Sequence, residues 1–427
     1  MEVSSMKKTT TTIFTSVLAL SVLAGCGAGK TNSEPGSTPA TSSATGEKVK
    51  LEFFQNKAEA KASFDALVKK FNDANPNIIV TQVNPPDAET VLKTRVAKKD
   101  VPDIIGLGAT DTFAQLSKSG LFTDFSNDSL TANIQPSYIN MLKKLTGSDQ
   151  LSAIPFTANA SGVIYNKTMF KELGLSVPKT WDELLATAQK VKDAGKTPFY
   201  LTIKDSWTVM VPFNSLSTNI VGIDFYDKRS KGSVKFDSPE FREVADKQLK
   251  LLDFGQKDMM GKGYNDGNTA FAKGESAMYL QGVWAIPEIK KANPSIDLGV
   301  FPFPATNDPA KNKVVSGVDT LLTISKNSKH ANEAKKFIEF MLKAENVQTY
   351  IDEQKAFSAV KNVNQTDASV QDLNASFTSG AIEDFSDHYI PGAVKADTII
   401  QSYLQKKDVN AYVKQFDTEW DKVANRK

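Results

Sequence analysis

The sequence holds one cysteine and two histidines in 427 residues. A single cysteine excludes an internal disulfide framework, and two histidines exclude a three-histidine metal centre, leaving carboxylate-rich metal sites open. An excess of one charge sign is also missing. The 51 Lys and Arg stand against 49 Asp and Glu, a formal net charge of +2. So even a balance gives no reason to expect nucleic acid or an acidic membrane as the main partner. There is no Gly-x-Ser-x-Gly elbow and no His-Glu-x-x-His pattern, which argues against esterase and zincin chemistry. His330 and His388 stand far apart in polar contexts, so both are expected to be surface histidines. The length allows two or three lobes with sizeable cores.

Residues 1–25 read as an export signal. Lys7 and Lys8 precede the short apolar run Ile13 to Ala24, which is too short to span a bilayer comfortably as a permanent helix. Either Met1 or Met6 could be the true start. Leu23-Ala24-Gly25-Cys26 resembles a bacterial lipobox, which implies that Cys26 receives a diacylglycerol and becomes the new amino terminus. Acyl chains anchor a soluble body because each buried CH₂ contributes about 0.8 kcal/mol. Residues 26–47 are then the lipidated cysteine and a tether. From Gly27 to Gly46 the chain is rich in Gly, Ser, Thr and Pro with no apolar period, so it cannot offset the entropy of ordering.

The folded body begins near Lys48. Val49 to Phe54 reads as a strand, and Ala58 to Phe71 as a helix with Phe64, Leu67, Val68 and Phe71 on one face. Ile78 to Val83 is a β-branched strand, Thr90 to Lys99 a helix, and Pro102 to Leu107 a short buried strand. Further on, Val163 to Tyr165 is a strand. Thr180 and Glu183 form a capping box that opens a helix to about Ala194. Ala277 to Leu280, Leu298 to Pro304 and Thr320 to Ile324 read as strands, and Ala331 to Lys343 as a strongly periodic helix. In the tail, Tyr412, Val413, Phe416 and Trp420 form a docking stripe. The alternation argues for an α/β fold with a mixed or parallel sheet.

Several passages carry a family resemblance by their joint order and spacing. They include Val101-Pro102-Asp103-Ile104-Ile105, Gly162 to Lys167, Pro178 to Leu184, Phe271 to Met278 and Gly282-Val283-Trp284. From about Val49 to beyond Trp420 the chain resembles the extracellular solute-binding proteins of ABC importers, in their family 1 sugar-binding group. That resemblance implies a two-lobed, type II-like periplasmic-binding-protein fold with a sugar in the cleft between α/β lobes and extra C-terminal helices. Lobe one would comprise 48–160 plus 316–376, and lobe two 161–315 plus 377–427. The chain crossings near Asn159, Gly317 and the late tail would form the hinge, with Gly162 and Gly317 absorbing the dihedral change. It also implies docking of the closed form on the transmembrane permease subunits, whose cytoplasmic ATPases drive import. No cofactor, no metal and no catalysis are expected, and the protein would be a monomer held by Cys26 at the extracytoplasmic face of the membrane.

A sugar presents C–H faces that pack on aromatic rings and hydroxyls that need paired donors and acceptors. Trp284, after the strand at Ala277–Leu280, is the first candidate for stacking, and Trp207, in a polar loop, the second. Trp181 and Trp420 read as packing residues. Phe54, Gln55, Asn56 and Glu59 follow the first strand, where open α/β sheets bind ligands. Asp111 is either a hydroxyl acceptor or the N-cap of the next helix. Asn159 and Asp319 flank the crossings. Tyr264, Asn265 and Tyr279 complete the set. A binding protein of the same fold for a peptide or other polar solute stays open as an alternative. So does an extracellular glycosidase, which would need two carboxylates at a set separation.

Overall fold

The computed structural model describes residues 48–424. The expected signal peptide, Cys26 and the tether lie outside the described residues. Two sheets organise the body. The first has the order β11-β4-β10-β3-β1-β2, from β1 (Val49–Gln55), β2 (Ile78–Val83), β3 (Ile104–Leu107), β4 (Ile154–Ala158), β10 (Val318–Ile324) and β11 (Phe357–Ser358). β1 runs parallel to β2 and β3, whereas β10 is antiparallel to β3 and β4. The sheet is mixed.

Helix Lys61–Ala74 covers it with Phe64, Leu67, Val68 and Phe71, all buried. Phe64 meets Phe53 edge-on at 5.3 Å and Tyr350 at 4.9 Å. Such aromatic pairs add about 1 kcal/mol each beyond the area they bury.

The second sheet has the order β6-β7-β5-β8, from β5 (Ser161–Asn166), β6 (Thr197–Tyr200), β7 (Ser276–Gly282) and β8 (Leu298–Phe301). Every residue of β7 is buried, as a strand covered on both faces must be. Beside it, helix Trp181–Asp193 opens with the expected capping box: the Thr180 hydroxyl accepts from the Glu183 N–H, and the Glu183 carboxylate accepts from the Thr180 N–H.

Helices Ala396–Lys406 and Val409–Ala424 close the chain on this second core, with Tyr412, Val413, Phe416 and Trp420 buried. Arg229 fixes the last helix. Its Nε donates to Asp417 at 3.0 Å and its Nη2 to Asp421 at 2.5 Å.

Between the sheets the chain passes through Asn159 and Ala160 (β4 to β5), and through Ser316 and Gly317, between β9 (Val314–Val315) and β10. A third segment runs alongside β9 through β12 (Ile382–Glu383), paired in parallel with it. Backbone bonds tie the three together: Asn159 N–H to the Gly317 carbonyl at 3.2 Å, and Ser316 N–H to the Glu383 carbonyl at 2.9 Å. The Ser316 hydroxyl adds a bond to the Asn159 carbonyl at 2.6 Å.

His388 departs from the surface role expected of it. It packs into this third segment, its Nδ1 2.8 Å from Asp384 Oδ1, while the Tyr389 hydroxyl donates to Asp384 Oδ2 at 2.9 Å.

Candidate ligand-binding cleft

The turn after β1 carries Lys57 and Glu59. Lys57 forms an ion pair with Asp319 and a longer one with Glu59 at 3.4 Å. Burial pulls the Lys57 pKa down, but Asp319 and then Glu59 more than reverse this and hold it well above the ordinary lysine value. Asp319 Oδ1 also accepts from Asn159 Nδ2 at 2.8 Å. A carboxylate only accepts, so the amide of Asn159 must present its N–H₂ here, leaving its oxygen as the unused end. That oxygen is buried without a partner. One expected residue from each crossing thus meets at the floor, together with a lysine that the sequence reading passed over. Lysine after a strand reads as solvated, and nothing local signals a carboxylate 262 positions away.

A second group of candidate residues is aromatic. Trp207 is 43% exposed, the exposed large hydrophobic among the described residues, and its ring lies 5.0 Å from that of Tyr264. The loop is held by Asp205, whose Oδ2 accepts the Tyr264 N–H at 2.7 Å. The Tyr264 pKa is pushed up to about 12, first by burial and then by the negative charges of Glu59 and Glu288. Trp284 is half-buried. Its indole N–H donates to Gln281 Oε1 at 3.2 Å and its ring covers Gly282, so it is a braced ring rather than a free one.

The other expected site residues have surroundings of their own. Phe54 is fully buried with the Arg95 guanidinium 5.9 Å above its ring, because the end of β1 is covered on both faces. Its ring is a core ring and not a cleft ring. Tyr279 is likewise fully buried, 6.0 Å from Phe271, and supports Tyr264 by donating to its carbonyl at 3.3 Å.

Gln55 is buried and turns inward, donating to Gln82 at 2.7 Å. Asn56 reaches Glu89 at 3.4 Å. Asn265 is exposed on the helix that starts at Tyr264. Asp111 is the first helical residue, the N-cap being Thr110. Its Oδ2 accepts from Gln115 at 2.7 Å and from the Gly392 N–H at 3.1 Å, a bond between the first lobe and the C-terminal segment. Gly317 occupies a crossing. Gly162 instead lies within β5 opposite Gln281, where a Cβ would come within 2.7 Å of the Phe301 carbonyl oxygen. Close approach of strands, rather than bending, accounts for that glycine. Trp181 and Trp420 are buried as expected.

Residues 55–348 match the family model of bacterial extracellular solute-binding proteins. The multiple sugar-binding protein of Streptococcus mutans is 36% identical over 330 residues, 75% of this chain and 77% of that protein. RafE in complex with raffinose superimposes with a TM-score of 0.77 at 29% identity, over 88% of this chain and 100% of that one. The apo form of RafE from Streptococcus pneumoniae gives 0.74 at 28% identity, over 89% and 99%. These similarities place the chain in a family of binding proteins rather than enzymes, on the extracytoplasmic side of a transport system. The chain belongs to the family 1 extracellular solute-binding proteins and is the substrate-binding component of an ABC importer of the sugar-transporting family.

Proposed function

We propose that this protein captures an oligosaccharide or related glycoside between its lobes and delivers it to the transmembrane subunits of its importer. The observation that carries the reading is the exposed Trp207 ring beside Tyr264, in a chain that also holds the polar cluster of Lys57, Asp319 and Asn159. Rings and hydrogen-bonding groups together match the two chemical surfaces of a sugar. Similarity to a multiple sugar-binding protein and to a raffinose-bound structure supports an oligosaccharide ligand. Trp207 and Tyr264 supply stacking, Trp284 borders them, and Asp319, Asn159 and Glu59 accept hydroxyl hydrogens. Affinity arises from stacking and buried hydrogen bonds, and coupling from preferential docking of the closed form.

In this reading lobe one is 48–160 plus 316–376, and lobe two is 161–315 plus 377–427. Strand membership supports that division, since the first sheet draws on residues 49–158, 318–324 and 357–358. The protein works as a monomer, held at the membrane through an acylated Cys26 after removal of residues 1–25.

Calorimetric titration of the purified protein against mono- and oligosaccharides tests the capture. Saturable binding to one class, weakened by Trp207→Ala, supports it. Binding of a peptide or another polar solute, with no heat from any sugar, overturns it. Mass spectrometry of the membrane-bound form tests the anchor, which requires a diacylglyceryl mass at Cys26.

A further inference from the structure

Lys57 is the cation of the cluster it forms with Asp319 and Glu59, and it is not free. Asp319, 9% exposed, holds it from one side, and Glu59, 42% exposed, from the other. The three together carry a net negative charge. The neighbouring amide works in the same direction. Because Asn159 spends its N–H₂ on Asp319, the end that it keeps is an acceptor, buried without a partner. A ligand oxygen that reaches this floor therefore meets acceptors and negative charge. It is welcome when it brings an O–H and repelled when it is itself an anion.

We propose that the cleft is selective for neutral sugars and excludes those bearing a carboxylate, with Glu59 and Asp319 acting as the specificity-determining residues by occupying Lys57. The inference rests on the oligosaccharide reading above and narrows it. An acidic sugar would have to displace one carboxylate from Lys57, leaving that group desolvated and unpaired. A neutral ring makes no such demand.

The test compares matched ligands. Maltotriose, raffinose and galactotriose are titrated into the purified protein, each beside the form whose terminal primary alcohol has been oxidised to a carboxylate. The neutral member of any bound pair should bind roughly 100-fold more tightly than its oxidised partner. Because the discrimination is electrostatic, added salt should narrow the ratio, and Glu59→Gln should narrow it further by removing one of the two carboxylates that surround Lys57. A structural role for Glu59 would instead weaken both members alike. Oxidised forms that bind as well as the neutral ones, or a ratio insensitive to both salt and Glu59→Gln, overturn the inference while leaving sugar capture intact. If no sugar of either kind binds, even across a wider panel, the oligosaccharide reading fails and the inference falls with it.

Discussion

Asn159 donates its backbone N–H to the carbonyl of Gly317 at 3.2 Å, so two chain crossings that the sequence separates by more than a hundred residues are bonded side by side. The same two segments carry polar groups of the proposed cleft. The side chain of Asn159 reaches Asp319 at 2.8 Å, two residues beyond Gly317. Any rotation of the lobes about these crossings therefore moves the floor of the cleft with it.

Gly317 is a glycine for want of space. A Cβ there would meet Asp384 Oδ1 at 2.7 Å, Phe385 at 3.0 Å and His388 at 3.1 Å. Gly317→Ala should cost about 1–3 kcal/mol through this crowding, read from the midpoint of urea unfolding. An unchanged midpoint would mean that the Asp384 carboxylate yields without loss.

Trp207 should separate binding from folding. With 43% of its surface exposed, Trp207→Ala should leave the melting temperature within a degree or so while weakening sugar affinity roughly 10- to 100-fold, the equivalent of about 1–3 kcal/mol of lost contact. Trp284→Ala should lower both, because that ring packs against the core. Equal melting losses in the two variants would contradict this division.

The Lys57–Asp319 pair is shielded, with side-chain exposures of 17% and 9%. Asp319→Ala leaves the ammonium with only the more exposed Glu59 and should destabilise the protein by about 3 kcal/mol. Replacing both partners, Lys57→Met with Asp319→Leu, should recover much of that loss. A double-mutant cycle showing no coupling would argue that water replaces the carboxylate at no cost.

His388 gives the stability a pH dependence. Burial alone would lower its pKa, but Asp384 and Asp387, with Glu89 further off, raise it from 6.5 to about 9. A raised folded-state value means that the stabilisation is complete below pH 6.5 and disappears as pH climbs through about 9. The span corresponds to about 3 kcal/mol. Unfolding free energies between pH 6 and 9.5 should fall in the native protein and flatten in His388→Gln. Parallel curves for the two would remove His388 as the source.

The strands and helices with a clean period were legible in the sequence. Ile78–Val83 emerges with the expected bounds, the helix at Thr180 carries its capping box, and the stripe from Tyr412 to Trp420 is buried. β4 and β6 escaped notice. Each is short and holds a proline, Pro155 and Pro198, which ordinarily argues against an interior strand. Pro155 is accommodated because the register with β10 slips next to its partner Leu321. Helix Tyr264–Ala272 is masked in the sequence because Gly267 interrupts its pattern. The glycine is there because a Cβ would run into Thr202 and the Tyr279 ring.

The sequence by itself determined the alternation of elements, the family and the residue types a sugar cleft requires, because periodicity, capping and motif order are local. Only the tertiary structure decided which of those residues come together and which are taken into the cores. It took Phe54 and Tyr279 into the cores, braced Trp284 on Gln281, and brought Lys57 to Asp319. Whether a side chain at a strand end faces ligand or core depends on what packs over that end. For β1 and β7 the covering groups come from distant parts of the chain, where no local pattern can announce them.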